Sequence, residues 1–159
     1  MQASLTGHLV LATLHTNDTT SAVTRLVDMG IEPFLLASSL IGVLAQRLVR
    51  RLCPACKRAD QLDSTQLTQF GAHPAPAQLY RAVGCPACNL SGYQGRMGIY
   101  ELLEVDDGLR RMVHERAADH ALRDYAMTTG TLRPLREDGL RWVAGGDTTL
   151  EELLRVTRN

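Results

Sequence analysis

The first strong pattern in the chain is an unbroken apolar run, Leu9-Val10-Leu11-Ala12-Thr13-Leu14, held between His8 and His15. A run of this length without alternation reads as a strand buried on both faces, the kind found in parallel sheets. The period then changes. Ala22, Leu26, Val27 and Met29 recur at helical spacing, with Asn17 or Asp18 at the N-cap and Gly30 at the C′ position. Pro33 opens a second expected helix that runs to about Ala45. It is apolar nearly all round, so deep burial is expected. Residues 46–52, QRLVRRL, alternate like a strand in their second half.

A cysteine-bracketed segment follows, Cys53 to Cys88, with a polar, proline-bearing middle from Asp60 to Pro76 that has room for a short helix at Ser64–Phe70. Residues 89–96, NLSGYQGR, read as a loop, and Met97–Val105 as a strand that returns to pair with Leu48–Leu52. From Asp106 the pattern is helical. Asp106 or Asp107 caps one helix with Leu109, Met112 and Val113 inward, and Asp119 caps the next with Leu122, Tyr125 and Ala126 inward. A third helix spans about Pro134 to Ala144 and ends at Gly145-Gly146. Thr148 or Thr149 caps the last, with Glu151 and Glu152 early and Arg155 and Arg158 late, the order that the helix dipole favours. Arg133 and Arg136 are placed to pair with Glu137 or Asp138.

The cysteines carry the sharpest chemical signal. Cys53-Pro-Ala-Cys56 and Cys85-Pro-Ala-Cys88 are one tetrapeptide repeated, with residues 57–84 between. Each turn aims two sulfurs at one point, and two such turns supply the four thiolates of a tetrahedral structural zinc site. Asn89 can take the left-handed conformation such turns often need, and Lys57 does so less readily. The competing readings are two separate redox CxxC sites, or disulfides. Neither CxxC clearly opens a helix after a strand, as a thioredoxin-like site does. A zinc held by four thiolates has no open position, so no catalysis is assigned to it.

Composition narrows the picture. The chain has 159 residues, and hydrophobic residues at 45% can build a core. Acidic and basic residues balance at 17 each, and aromatics are 4%, which speaks against nucleic-acid binding. Lys57 is the only lysine. The start lacks a charged signal-peptide region and no run reaches transmembrane length, so a cytoplasmic setting is expected. The chain contains no Gly-Lys dipeptide, hence no phosphate-cradling loop, and no apolar strand ending in Asp-Glu. Nucleophile-elbow, HExxH and dinucleotide fingerprints are also missing.

Four blocks in order, ASLTGHLVLATLHTN, RLVDMGIEPFLLASSLIGVLAQRLVRRLCPAC, CPACNLSGYQGRMGIYELLEV and LREDGLRWVAGGDTTLEELLRVT, together resemble the C-terminal part of the secretion-superfamily ATPases. The resemblance is strongest to the E-type motors of type II secretion, with the type IV pilus extension ATPases as near relatives. It covers nearly the whole chain, and only Asp60–Tyr80 is unspecific.

The resemblance implies an α/β fold. It consists of a partial RecA-like ATPase core at 1–52 without Walker A and B, a tetracysteine zinc module at 53–88, a return strand at 89–105, and a helical C-terminal subdomain at 106–159. It also implies a cytoplasmic motor, peripheral to the bacterial inner membrane, that powers pseudopilus assembly. ATP and Mg²⁺ serve the full-length protein, as do a homo-hexamer and the inner-membrane platform proteins. This chain alone is expected not to hydrolyse ATP. Alternatives are a type IV pilus assembly (extension) ATPase fragment, a stand-alone zinc-ribbon interaction module, or an inactive subunit that joins a motor ring.

Within that resemblance His8 and His15 look like the family's His box, and Arg96 resembles a residue near the nucleotide. On a strand the two histidines would stand about 23 Å apart at roughly 3.3 Å per residue. Ligands in open α/β sheets bind at the carboxyl ends of strands. His15 is therefore expected to sense the γ-phosphate or orient water, and His8 to have a structural or interface role. The alternative for both is a hydrogen bond to strand-end backbone. Arg47, Arg50, Arg51 and Arg58 read as a solvated strand face, with a subunit or platform contact as the alternative.

Overall fold

A computed structural model of the chain describes residues 2–61, 63, 66, 68–70, 76 and 78–158. In order, the elements are α1 (Gln2–Leu5), α2 (Thr19–Asp28), α3 (Pro33–Ser39), β1 (Gly42–Leu52), β2 (Arg58–Asp60), β3 (Leu79–Arg81), β4 (Tyr93–Glu104), α4 (Asp107–His114), α5 (Asp119–Thr129), β5 (Leu132–Arg133), α6 (Leu135–Ala144) and α7 (Leu150–Val156). One sheet has the order β1-β4-β5, and β2 and β3 form a separate antiparallel ribbon with Arg58 opposite Arg81. The expected helix at Ser64–Phe70 lies in part outside the described residues, since Ser64, Thr65 and Leu67 are not among them.

The residues divide into two compact units, 1–45 with 101–134, and 46–100 with 135–159. The chain crosses between them inside β1 and β4, and the helical stretch after Asp106 contributes to both.

In the first unit the core is Val23, Leu36, Leu103, Val105, Leu109, Val113, Leu122, Ala126 and Leu132. Local signals set its helices. Asp18 caps α2 by accepting from Ser21 N–H at 2.8 Å, and Gly30, at φ 88°, closes it as Ile31 N–H returns to Leu26 O. Asp106 caps α4 through Leu109 N–H at 2.7 Å while its other oxygen accepts the Tyr125 hydroxyl at 3.0 Å. Asp119 is the first residue of α5, not its cap; Ala118 holds the cap position without a side-chain bond. Glu101, 2% exposed, accepts both Thr19 N–H (2.9 Å) and Thr19 Oγ1–H (2.7 Å), with Arg123 at 3.6 Å. It thereby fixes the start of α2.

Two element assignments in this unit also fail. Residues 8–16 form no strand, and the apolar run lies open, with Leu9 75% and Leu11 88% exposed. A strand exists only where neighbours take up its N–H and C=O groups. None of the described strands pairs with this run, whatever its apolarity. A short helix, α1, also precedes it. The second failure is α3, which stops at Ser39 instead of Ala45, with Gly42 onward in β1. Ser38 and Ser39 hydroxyls bond back to Leu35 O, and the β-branched Ile41 and Val43 suit a strand. The helix is not deeply buried all round either: Pro33 and Leu36 are buried, but Phe34 is 55% exposed. Met29, at the C-cap of α2, is 59% exposed.

The second unit packs Val49, Phe70, Leu79, Ile99, Leu135, Leu140, Val143, Leu150 and Leu153. The expected return strand is present as β4 beside β1, and begins at Tyr93, so the preceding loop is shorter than expected. Gly146, at φ 69°, ends α6, with Asp147 N–H returning to Trp142 O. Gly139 lets α7 approach α6 closely, because a Cβ there would overlap Leu153 Cδ1. Asp138 accepts Tyr100 N–H at 3.0 Å and Arg141 Nε–H at 2.9 Å, and so pairs with Arg141, not with Arg133 or Arg136. Arg136 reaches Gln69 Oε1 at 3.4 Å.

Candidate metal centre

Each cysteine tetrapeptide folds as its sequence dictates. Proline in second position presets φ for a tight turn. In the first turn Cys53 O accepts from Cys56 N–H (3.2 Å) and Lys57 N–H (3.0 Å). In the second, Cys85 O accepts from Cys88 N–H (3.1 Å) and Leu90 N–H (2.9 Å). Asn89 takes the left-handed conformation at φ 50°, as its side chain allows, and Leu90 follows at φ 61°, which costs on the order of 1–2 kcal/mol for such a residue. Gly92, at φ 75°, brings the backbone against Ala82, where a Cβ would fall 2.6 Å from Ala82 Cβ. Cys53 N–H then bonds Gly92 O at 3.0 Å, tying the two turns together.

The four sulfurs converge. Cys53–Cys85 and Cys56–Cys88 stand 3.9 Å apart, Cys85–Cys88 3.8 Å, and all four ligand atoms lie within 4.8 Å of one another. Four tetrahedral sulfurs at about 2.3 Å from a zinc ion have edges of about 3.8 Å. A disulfide would place two sulfurs at about 2.05 Å, and all four cysteines are free thiols. Cys53, Cys56 and Cys88 are buried. Backbone amides are aimed at one ligand: Cys85 N–H and Gly92 N–H both donate to Cys88 Sγ at 3.2 Å. Burial opposes the Cys88 thiolate, but these amides and the neighbouring thiols outweigh it and bring its pKa down to about 6. Burial pushes the Cys56 thiol up to about 11. The donor set is all sulfur, closed, and shaped for one tetrahedral ion.

Next to this centre is a buried ionic network that local sequence patterns did not reveal. Glu152, 1% exposed, accepts four bonds: from Arg50 N–H (3.1 Å), Arg50 Nη2 (2.8 Å), Arg155 Nε (2.9 Å) and Arg155 Nη2 (2.8 Å). Burial raises its pKa, but the two arginines more than reverse this and hold it at about 2. Arg50 stacks 4.0 Å over the Tyr93 ring, and the Tyr93 hydroxyl meets Thr149 Oγ1, the α7 cap, at 2.9 Å. Arg47, Arg50, Arg51 and Arg58 are all exposed, as a solvated strand face would be, although Arg50 also pairs with Glu152 and Arg51 with Asp147 at 3.3 Å.

The remaining expected site residues are spread out. His8 and His15 are both exposed on the segment without regular structure in the first unit, and His8 Nδ1 lies 3.0 Å from Thr6 Oγ1. The strand spacing expected between them does not apply. Arg96 is exposed on β4 in the second unit.

Similarity places these features in a wider group. A family model described as type II/IV secretion system protein matches residues 1–155. The type II secretion system protein HxcR of Pseudomonas aeruginosa is 60% identical over the whole chain. The type II secretion system ATPase E of Vibrio cholerae is 55% identical over 99% of it. The chain spans about 30% of the length of these relatives. Among solved structures, the pilus retraction motor PilT with bound ADP matches with a TM-score of 0.58 and 20% identity, over 99% of this chain and 36% of that one, which supports a shared α/β fold. With the family model matched over residues 1–155 and 60% identity to HxcR over the whole chain, the chain belongs to the type II/IV secretion system protein family.

Proposed function

We propose that this chain forms the zinc-stabilised C-terminal portion of a motor ATPase that powers type II protein secretion. The observation that carries the reading is identity of 60% across the whole chain to a type II secretion protein. Cys53, Cys56, Cys85 and Cys88 would hold one structural Zn²⁺, and the 3.8–3.9 Å sulfur edges support that choice of metal. The ion would cross-link two distant turns and contribute folding energy, with no part in catalysis.

ATP and Mg²⁺ belong to a protein of the relatives' length, as do a hexameric ring and a place on inner-membrane platform proteins at the cytoplasmic face. No helix among the described residues is long and apolar enough to cross a membrane. In such a protein the open run 9–14 would find strands to pair with, in a RecA-like sheet. That pairing would carry His15 toward the γ-phosphate and leave His8 a structural role, with Arg96 nearer the nucleotide. The chain by itself has no Gly-Lys phosphate loop and hydrolyses no ATP in this reading.

The test is a chimera in which this chain replaces the matching segment of a full-length type II secretion ATPase. The reading predicts restored secretion and zinc-dependent stability, and loss of both on Cys→Ser change at the tetrad. A chimera that folds, binds zinc and hydrolyses ATP but supports pilus extension and no secretion would favour the type IV assignment instead.

A further inference from the structure

The first cysteine turn is gripped at both ends by one loop, the link from α6 to α7. On the near side Leu52 N–H donates to Asp147 O at 2.7 Å, and Arg51 Nη2 reaches Asp147 Oδ1 at 3.3 Å. On the far side Lys57 Nζ donates to Gly146 O at 2.7 Å, and the ammonium lies 4.7 Å from the Tyr80 ring centroid. Tyr80 in turn packs on Gly146, where a Cβ would fall 2.6 Å from the ring. The loop then continues directly into the buried network. Thr148 Oγ1 donates to Arg50 O at 2.8 Å, Thr149 caps α7, and Glu152 takes the Arg50 and Arg155 guanidiniums. Residues 50–57 therefore hold residues 146–152 at several successive points.

The separation of the two gripping ends, Leu52 and Lys57, is set by the Cys53–Cys56 turn between them. A metal on the four sulfurs fixes that turn; four unliganded thiols leave it free to open. We propose that the metal centre locks the C-terminal helix α7, and that the lock is transmitted by Lys57 through its bond to Gly146 O. With metal bound, the 146–149 loop and the first turn of α7 are held. Without it they loosen, and the Glu152 network with them. Lys57 is a positioning residue here, not a ligand. The proposal rests on the metal reading above and extends it from a local cross-link to the far end of the chain.

The experiment is amide hydrogen exchange on the 159-residue chain under reducing conditions, zinc-loaded and after chelation, for wild type, Lys57→Met and Lys57→Arg. Metal content is measured alongside. In wild type, chelation is expected to raise exchange at residues 146–152 at least tenfold. Lys57→Met is expected to keep one zinc per chain yet show raised exchange there while loaded. Lys57→Arg, which can still donate to Gly146 O and stack on Tyr80, is expected to restore protection. A wild-type chain that takes up no zinc overturns the metal reading and the lock together. A chain that binds zinc, with exchange at 146–152 unchanged by chelation, overturns the lock alone. Should chelation deprotect the entire second unit, zinc-loaded Lys57→Met decides: full protection at 146–152 overturns the role of Lys57.

Discussion

Glu152→Gln tests the buried network most sharply. The Glu152 side chain is fully buried, and its pKa falls from the ordinary 4.5 to about 2. A depression of that size corresponds to about 3 kcal/mol of folding free energy at pH 7. Breaking a buried ion pair from one side costs about 3–5 kcal/mol, which agrees. The folded chain binds fewer protons at this site than the unfolded chain. Its stabilisation is therefore complete above the unfolded pKa of 4.5 and is lost as pH falls through 2. Urea unfolding of wild type and Glu152→Gln, followed by circular dichroism, measures the gap between them. It should be about 3 kcal/mol at pH 7 and shrink to about 1.5 kcal/mol at pH 3. Acid also weakens thiolate–metal bonds, but in both proteins alike, so the gap and not either midpoint is the readout. A gap under about 1 kcal/mol at pH 7, or one that does not narrow with acid, would show that the arginines do not hold this carboxylate as described.

Gly139→Ala should lower thermal stability although alanine favours a helix by about 1 kcal/mol, because its Cβ would overlap fully buried Leu153; a raised melting temperature would contradict that packing. Asp18→Ala removes the α2 cap and should cost about 1 kcal/mol, read as a shift in urea midpoint, with Asp18→Asn recovering most of it. Cys88→Ser should abolish zinc retention and unfold the second unit at 37 °C; a variant that still holds one zinc per chain would remove Cys88 from the ligand set.

What could be read in the sequence was local. The caps Asp18, Asp106 and Thr149 act within three residues, and Gly30 and Gly146 close their helices through left-handed backbone, so a short window holds the whole signal. The cysteine turns were legible because both the repeat and the ligand chemistry are local, although residues 57–84 separate them. The failures were relational. Residues 9–14 have the composition of a strand, but strand identity belongs to a pair, and no described strand is its partner. The step from α3 to β1 turned on Ser38 and Ser39 closing the helix early, which its apolar periodicity concealed. The buried carboxylates Glu101, Asp138 and Glu152 were invisible for the same reason. Their backbone partners Thr19, Tyr100 and Arg50 lie 82, 38 and 102 residues away. Glu152 in a first helical turn looked like a dipole residue, and burial turned it into the hub of a network.

The central claim is that the two cysteine turns build one closed zinc site. It is tested most directly by metal analysis of the chain purified under reducing conditions, together with X-ray absorption at the zinc edge. The account predicts one zinc per chain with four sulfur neighbours at about 2.3 Å. A reduced, folded chain without zinc, or one whose zinc shows nitrogen or oxygen in place of sulfur, would contradict it.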